Sequence, residues 1–242
     1  MTLVSYAHNF IYLRTRKTAS TSTELYLQAY CVPPGQKVSE FQTHPIVSKY
    51  GIAGRRRKER ALKWHQKPRH LWHVMNGTNI WCPHMAADTV RAGLARGFWE
   101  KALKISSVRN PFKRMISSYY WAEERNNRAD ERSADEHIEG FRRKVRNCDF
   151  KTDKDIVFLD GDFLPDALIR QEHLAEDLKE LGERLELDPT LATLRVTKKT
   201  KSSEANQRPA VSEFYDDETA DIVRSSFDWV FKHAGYSPEI PE

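Results

Sequence analysis

The chain has 242 residues, of which 39% are hydrophobic and 11% aromatic, so it can bury a substantial core, and we expect a single domain over residues 1–242. Lys and Arg outnumber Asp and Glu by 39 to 34, and this net charge of +5 favours anionic ligands but is too small to indicate nucleic acid. The three cysteines lack CxxC spacing, which argues against a disulfide framework and a thiolate zinc site. No apolar run reaches the ~18 residues of a membrane span, and no signal-peptide pattern is present. We therefore expect a cytoplasmic protein without an integral membrane segment.

The first half of the chain alternates strand and helix patterns. In chain order we predict a strand at 9–14, a helix at 22–30, loops and short elements over 32–80, a helix at 84–96, a strand at 102–108 and a helix from Pro111.

The second half begins with a strongly charged stretch, 122–154, which we predict to be a solvated helix and loop that tolerate change. It continues with short apolar runs at 156–159 and 168–169, a helix at 172–187, a loop at 194–209 and a helix at 214–237 that stops at Gly235. Strands that each lead into a helix predict an α/β fold with a central parallel β-sheet flanked by helices, and ligands then bind at the carboxyl ends of the strands.

The segment RKTASTS, residues 16–22, lies between a predicted strand and a predicted helix. Small residues there let the backbone direct several N–H groups at an anion on the helix N-terminus. In a nucleoside-triphosphate P-loop the Lys follows glycines, whereas Lys17 precedes the hydroxyl residues and the segment contains no glycine, which disfavours a kinase. Alternatively, Lys17 is a surface lysine and Ser20, Thr21 and Ser22 only cap the helix.

A second cluster, VRNPFKRMISSYYW at residues 108–121, also follows a strand. Arg109 can make a planar, bidentate contact with a phosphate, and the hydroxyl of Ser117 can reach the same oxyanion if the helix folds back beside the strand. Alternatively, Arg109 and Arg114 are ordinary helix-start and surface cations.

Four stretches in the same order resemble one known family. The run HMAADTVRAGLARGFWEKALKISSVRNPFKRMISSYYW resembles the central block of the carbohydrate-type sulfotransferases, with its RNPxxRxxSxYxW pattern. RKTASTS resembles the PKTGGTS loop of that family, IRQEHLAEDLKELGERLEL its RFEHLEEDF segment, and EFYDDETADIVRSSFDWVFKHAGYS its closing helix. The similar blocks cover roughly 9–28, 84–121, 167–187 and 213–237.

The resemblance implies a three-layer, P-loop-type sulfotransferase fold and transfer of a sulfuryl group from 3′-phosphoadenosine 5′-phosphosulfate (PAPS) to a hydroxyl of a carbohydrate or another acceptor, without a metal. It places Lys17 in the loop that binds the 5′-phosphosulfate and implies that Arg109 and Ser117 bind the 3′-phosphate. The other implied contacts come from the loop residues Thr18, Ala19, Ser20, Thr21 and Ser22, and from Lys201 and Arg208 in a loop over the nucleotide.

The acceptor hydroxyl must lose a proton, and a histidine is the usual base. By the resemblance we predict that His84 starts a helix and acts as this base, with Glu172, His70, His73 and His173 as other candidates.

The chain departs from the family pattern at Arg16, where the family has Pro, and at Ala19 and Ser20, where it has two glycines. These departures support one alternative, a nucleotide-binding protein of the same fold without turnover. A P-loop-like kinase is a second alternative, which the missing glycines disfavour.

Overall fold

The computed structural model describes residues 2–36, 44–55, 81–126, 132–192, 194 and 208–242. The chain divides into two compact units. The sheet unit comprises Met1–Ser107, Asp153–Ile169 and His173–Val196, and the helical unit comprises Val108–Thr152, Arg170–Glu172 and Thr197–Glu242.

The described strands are, in chain order, β1 (Leu3–Ser5), β2 (Phe10–Leu13), β3 (Ile46–Ser48), β4 (Gly51–Ala53), β5 (Leu103–Val108), β6 (Phe158–Leu159), β7 (Asp162–Phe163) and β8 (Ala167–Arg170). Six of them form a sheet in the order β3-β4-β1-β2-β5-β8, and β6 pairs with β7 separately. β2 and β5 are parallel, whereas β1 is antiparallel to β2 and β4, and β3 is antiparallel to β4. The α/β class is confirmed, but the sheet is mixed instead of parallel throughout, because the short connections β1–β2 and β3–β4 can join only antiparallel neighbours.

The described α-helices are α1 (Ser20–Gln28), α2 (Ala87–Ala92), α3 (Arg96–Lys101), α4 (Pro111–Arg125), α5 (Ala134–Arg146), α6 (Lys154–Val157), α7 (Leu174–Arg184), α8 (Asp217–Ser226) and α9 (Asp228–Ala234). Short 3₁₀ turns occupy Gln171–His173 and Val211–Phe214.

The core of the sheet unit lies between the sheet and helices α1 and α7. Leu27 of α1 and Leu178 and Leu181 of α7 pack against side chains from alternate positions of the central strands. The buried strand residues in this cluster are Leu3, Phe10, Tyr12, Ala53, Ile105 and Ile169.

The helical unit begins at α4, where the sequence predicts a helix start. The side chain of Asn110 accepts a hydrogen bond from the backbone N–H of Lys113 at 3.2 Å, and Pro111 occupies the first turn. Phe112 lies edge-to-face with Tyr215 at a centroid distance of 5.0 Å, and the Tyr215 hydroxyl donates to the Phe112 carbonyl at 2.9 Å. This contact joins the start of α4 to the segment before α8.

Three of the predicted elements differ in the structure. The helix predicted at 84–96 is two short helices, α2 and α3, and the helix predicted at 214–237 is divided at Phe227, although Gly235 does end it with a left-handed backbone (φ 70°). The stretch 122–154 is not uniformly solvated, because α5 buries Phe141 and Val145 completely and Asp153 is 1% exposed.

Candidate functional site

The loop between β2 and α1 carries the predicted anion-binding segment. Its backbone is left-handed at Lys17 (φ 62°) and at Ala19 (φ 53°), and Ala19 is the N-cap residue of α1. The loop is fixed to β5 through Thr15, whose hydroxyl donates to the carbonyl of Ser107 and lies 3.0 Å from the hydroxyl of the buried Thr18.

The N-terminus of α1 lacks the hydroxyl cap that the sequence offered as an alternative. Ala19 makes no side-chain capping hydrogen bond, and the first turn of α1 contains no acidic residue. Ser20, Thr21 and Ser22 lie inside the helix, after the N-cap position. The first N–H groups of a helix and its dipole attract an anion, so this end of α1 suits a phosphate or sulfate.

Arg14 is a residue of the site that motif reasoning did not single out. Its guanidinium lies 3.0 Å from the carboxylate of Glu24, whose side chain is fully buried, and donates to the hydroxyls of Ser20 at 3.1 Å and Thr21 at 3.4 Å. Arg14 therefore connects the end of β2 to the first turn of α1 and places a cation beside it. The helical spacing of Ser20, Thr21 and Glu24 is the signal that would have identified this contact.

His84 lies against the same loop, but it does not start a helix as predicted. Its backbone is left-handed (φ 58°), and α2 begins three residues later at Ala87. The Nδ1 atom of His84 is 3.1 Å from the carbonyl oxygen of Arg14. A carbonyl only accepts hydrogen bonds, so Nδ1 carries the proton and Nε2 of the neutral ring carries the lone pair that a general base needs.

Burial and, after it, the positive charges of Arg14 and Arg16 lower the pKa of His84 to about 3, although Asp153 and the hydrogen bond to Arg14 act in the opposite direction. His84 is therefore neutral throughout the physiological pH range.

Asp153 completes this group in the sheet unit. Its buried carboxylate accepts hydrogen bonds from the backbone N–H of Arg16 at 2.7 Å and from the Arg16 guanidinium. Asp153 is 137 residues away from Arg16 in the chain, within the stretch predicted to tolerate change. Motif reasoning therefore missed it.

Arg109 belongs to the helical unit, where it directly precedes the N-cap residue of α4. Burial lowers its pKa, while the charges of Glu172 and Tyr236 act in the opposite direction. The Arg109 Nε atom is buried and has no hydrogen-bond partner within the described part of the chain. A buried guanidinium nitrogen without a partner is costly unless an anion satisfies it, so Arg109 fits the predicted phosphate contact.

Glu172 holds the backbone next to Arg109. One of its carboxylate oxygens accepts from the backbone N–H of Asn110 at 3.2 Å, and the other accepts from the hydroxyl of Tyr236. Tyr236 follows the left-handed Gly235 at the end of α9. These contacts give Glu172 a positioning role in the helical unit.

Arg208 lies along the face of α4 that carries Ser117. Its guanidinium is 4.1 Å from the centroid of the Tyr120 ring and 3.9 Å from the carboxylate of Glu124. Ser117, Tyr120 and Glu124 are spaced by three and four residues and so share one helix face.

The remaining predicted residues fall elsewhere. Lys201, His70 and His73 lie outside the described residues, and His173 pairs with Glu176 at 3.1 Å on the surface of the sheet unit. Among the described residues no group of three His, Cys, Asp or Glu is arranged to hold a metal ion.

A strand, a left-handed loop and a helix with an uncapped N-terminus define an α/β protein in which this loop suits a phosphate or sulfate group. The family model described as the sulfotransferase family matches residues 1–163, about two thirds of the chain, and includes this loop, His84, Arg109 and Asp153. The chain belongs to the sulfotransferase family, and the activity of that family is the transfer of a sulfuryl group to a hydroxyl-bearing acceptor.

The other comparisons add nothing to this assignment, since no curated protein and no solved structure gave a significant match. None of the described helices combines the length and the apolar character that crossing a membrane requires.

Proposed function

We propose that this protein transfers a sulfuryl group from PAPS to a hydroxyl of a carbohydrate acceptor. The observation that carries the proposal is the geometry around α1. The helix has an uncapped N-terminus after a left-handed loop that contains Lys17. His84, whose neutral ring carries a lone pair on Nε2, lies in the same sheet unit.

In this reaction PAPS supplies the activated sulfuryl group. An oxygen of the acceptor forms the new S–O bond, the bond between sulfur and the phosphate oxygen breaks, and its electron pair remains on that phosphate oxygen. Lys17 and the first N–H groups of α1 stabilise the negative charge that develops there. His84 takes the proton of the acceptor hydroxyl at Nε2.

A histidine with a pKa of about 3 is a weak base. Arg14 and Arg16 are two of the causes of this low pKa, and an anion bound beside them offsets their charge. Donor binding is therefore expected to raise the pKa of His84 and make it a stronger base for the step that follows.

The family resemblance assigns further contacts with the donor to residues that lie in the helical unit. The buried, unpartnered Nε atom of Arg109 is suited to a phosphate oxygen, and we propose that Arg109 and Ser117 bind the 3′-phosphate. The hydroxyl of Ser117, on the same face of α4 as Tyr120, supplies a second contact. Arg208 adds a positive charge along the same helix face.

The carbohydrate acceptor rests on the family resemblance of the sequence alone. Screening oligosaccharides and small alcohols with ³⁵S-labelled PAPS tests the acceptor directly.

The decisive experiment measures transfer from ³⁵S-labelled PAPS by the wild type, Lys17→Ala and Arg109→Ala. We expect each variant to lose about 100-fold or more in kcat/KM, because charge stabilisation at the transferring group contributes on this scale. Lys179→Ala and Arg96→Ala, whose side chains are 80% and 92% exposed, are the matched controls and should remain active.

Calorimetry with adenosine 3′,5′-bisphosphate (PAP) separates binding from turnover. Wild-type protein that binds PAP without transferring sulfate would be a nucleotide-binding protein and would refute the enzymatic proposal. Full activity in Lys17→Ala or Arg109→Ala would refute the role of that residue.

A further inference from the structure

The contact between Asp153 and Arg16 fixes the residue immediately before Lys17. The Asp153 side chain is fully buried, and its two carboxylate oxygens bind the backbone N–H and the guanidinium of Arg16, which is itself 32% exposed. A carboxylate that holds both the main chain and the side chain of one residue restricts that residue to one conformation.

The carboxylate of Asp153 is not used where its position in the chain would direct it. Asp153 is the N-cap residue of α6, and aspartate is among the best N-cap residues because its side chain accepts from the first N–H groups of its own helix. Here it makes no such capping hydrogen bond. The Asp153 carboxylate therefore does not stabilise α6 through an N-cap hydrogen bond. It contacts Arg16 in the predicted anion-binding loop.

Left-handed backbone is concentrated in the same group. The described chain contains eight residues other than glycine with positive φ, and Lys17, Ala19, His84 and Asp153 are four of them. Such conformations are unfavourable for L-residues and persist only where the surroundings fix them, which is characteristic of functional sites.

Resting on the function proposed above, we propose that Asp153 is a positioning residue of sulfuryl transfer. By holding Arg16 it aligns Lys17 with the N-terminus of α1, and its negative charge balances the cations beside His84. The charged groups that act on His84 in the described structure are Arg14, Arg16 and Asp153, so Asp153 supplies the single negative charge among them.

Asp153→Asn is the test variant, because asparagine tolerates left-handed backbone and keeps one oxygen for the Arg16 N–H while losing the charge. We expect kcat per folded molecule to fall at least about 10-fold, with acceptor KM within twofold of wild type. Asp160→Asn is the matched control, since Asp160 is also left-handed (φ 53°) but exposed, and pairs with Arg91 at 3.1 Å. It should retain wild-type kcat.

A double-mutant cycle tests whether Asp153 acts through Arg16. Arg16→Pro removes the N–H that the carboxylate binds and restricts φ by its ring. In the Arg16→Pro background we expect Asp153→Asn to change kcat by less than about 3-fold. An equal loss in both backgrounds would show that the effect is only structural, and a wild-type kcat in Asp153→Asn alone would overturn the proposal directly.

Binding of PAP separates this proposal from the proposed function. We expect Asp153→Asn to weaken PAP binding by about 5- to 10-fold, on the scale of one lost charge-assisted contact. If the wild type binds PAP without turnover, the enzymatic function is refuted. The ratio of PAP affinities between the wild type and Asp153→Asn then decides whether Asp153 positions the loop. A wild-type chain that neither binds PAP nor transfers sulfate overturns both.

Discussion

The left-handed conformation of Ala19 predicts that Ala19→Gly stabilises the protein. An L-residue in this region costs about 1–2 kcal/mol relative to glycine, and Ala19 has φ 53° and ψ 18°. Glycine also increases the conformational freedom of the unfolded chain, which lowers the free energy of unfolding by about 0.5–1 kcal/mol. The net stabilisation is therefore about 0.5–1 kcal/mol, which raises Tm by about 1–4 °C for a chain of this length.

Ala29→Gly is the control, because Ala29 follows the same helix with φ −58° and ψ −29° and packs against the core. There glycine adds freedom to the unfolded chain and removes a methyl group that packs against the core, and we expect Tm to fall by at least about 1–4 °C. Both variants are compared with the wild type by thermal unfolding followed by circular dichroism. A fall in Tm for Ala19→Gly as large as that for Ala29→Gly would refute the left-handed loop.

Three further predictions concern His84, Tyr236 and Gly51. The folded-state pKa of His84 is about 3, below the ordinary 6.5, so the unfolded chain binds a proton at this residue before the folded chain does. The free energy of unfolding is therefore unaffected above pH 6.5 and falls by up to about 1.4 kcal/mol per pH unit as the pH decreases towards 3. Urea unfolding at pH 7 and pH 5 should show a smaller loss of stability in His84→Gln than in the wild type, and equal losses would contradict the low pKa. Tyr236→Phe removes the hydroxyl bound to Glu172 and should weaken PAP binding, measured by calorimetry, about 3- to 10-fold, on the scale of one hydrogen bond to a charged group. The control Tyr215→Phe loses a buried hydrogen bond of 2.9 Å and should lower stability while PAP binding stays unchanged. A Cβ atom at Gly51 would lie 2.1 Å from the carbonyl oxygen of Val4, so Gly51→Ala should cost at least about 1–3 kcal/mol in urea unfolding, while Gly97→Ala, with no atom within 4 Å, should not destabilise; a neutral Gly51→Ala would contradict the pairing of β1 and β4.

The sequence predicted those parts of the fold whose signals are local. β2, α1, β5 and the start of α4 at Asn110 and Pro111 lie where hydrophobic spacing and helix-start residues placed them. Strands β1, β3 and β4 have three residues each, too few for a period-two pattern to be recognised, so they were missed along with the antiparallel half of the sheet.

The same distinction holds for the candidate site. Lys17 and Arg109 are in motifs, and sequence reasoning found them. Asp153 and Tyr236 are brought to Arg16 and Glu172 from 137 and 64 residues away, and a single sequence carries no signal for such contacts. The resemblance predicts His84 as the base. It does not predict the left-handed backbone of His84 or the hydrogen bond to the Arg14 carbonyl that fixes its tautomer.

The two departures from the family loop have one physical interpretation when Asp153 is included. Proline at position 16 would restrict φ through its ring, and glycine at position 19 would adopt the left-handed backbone without strain. In this chain a buried carboxylate restricts Arg16, and Ala19 nevertheless keeps the left-handed conformation. A loop with less intrinsic preference for its shape depends more on its surroundings, so substitutions at Asp153 should affect this protein more than substitutions at a helix N-cap generally do.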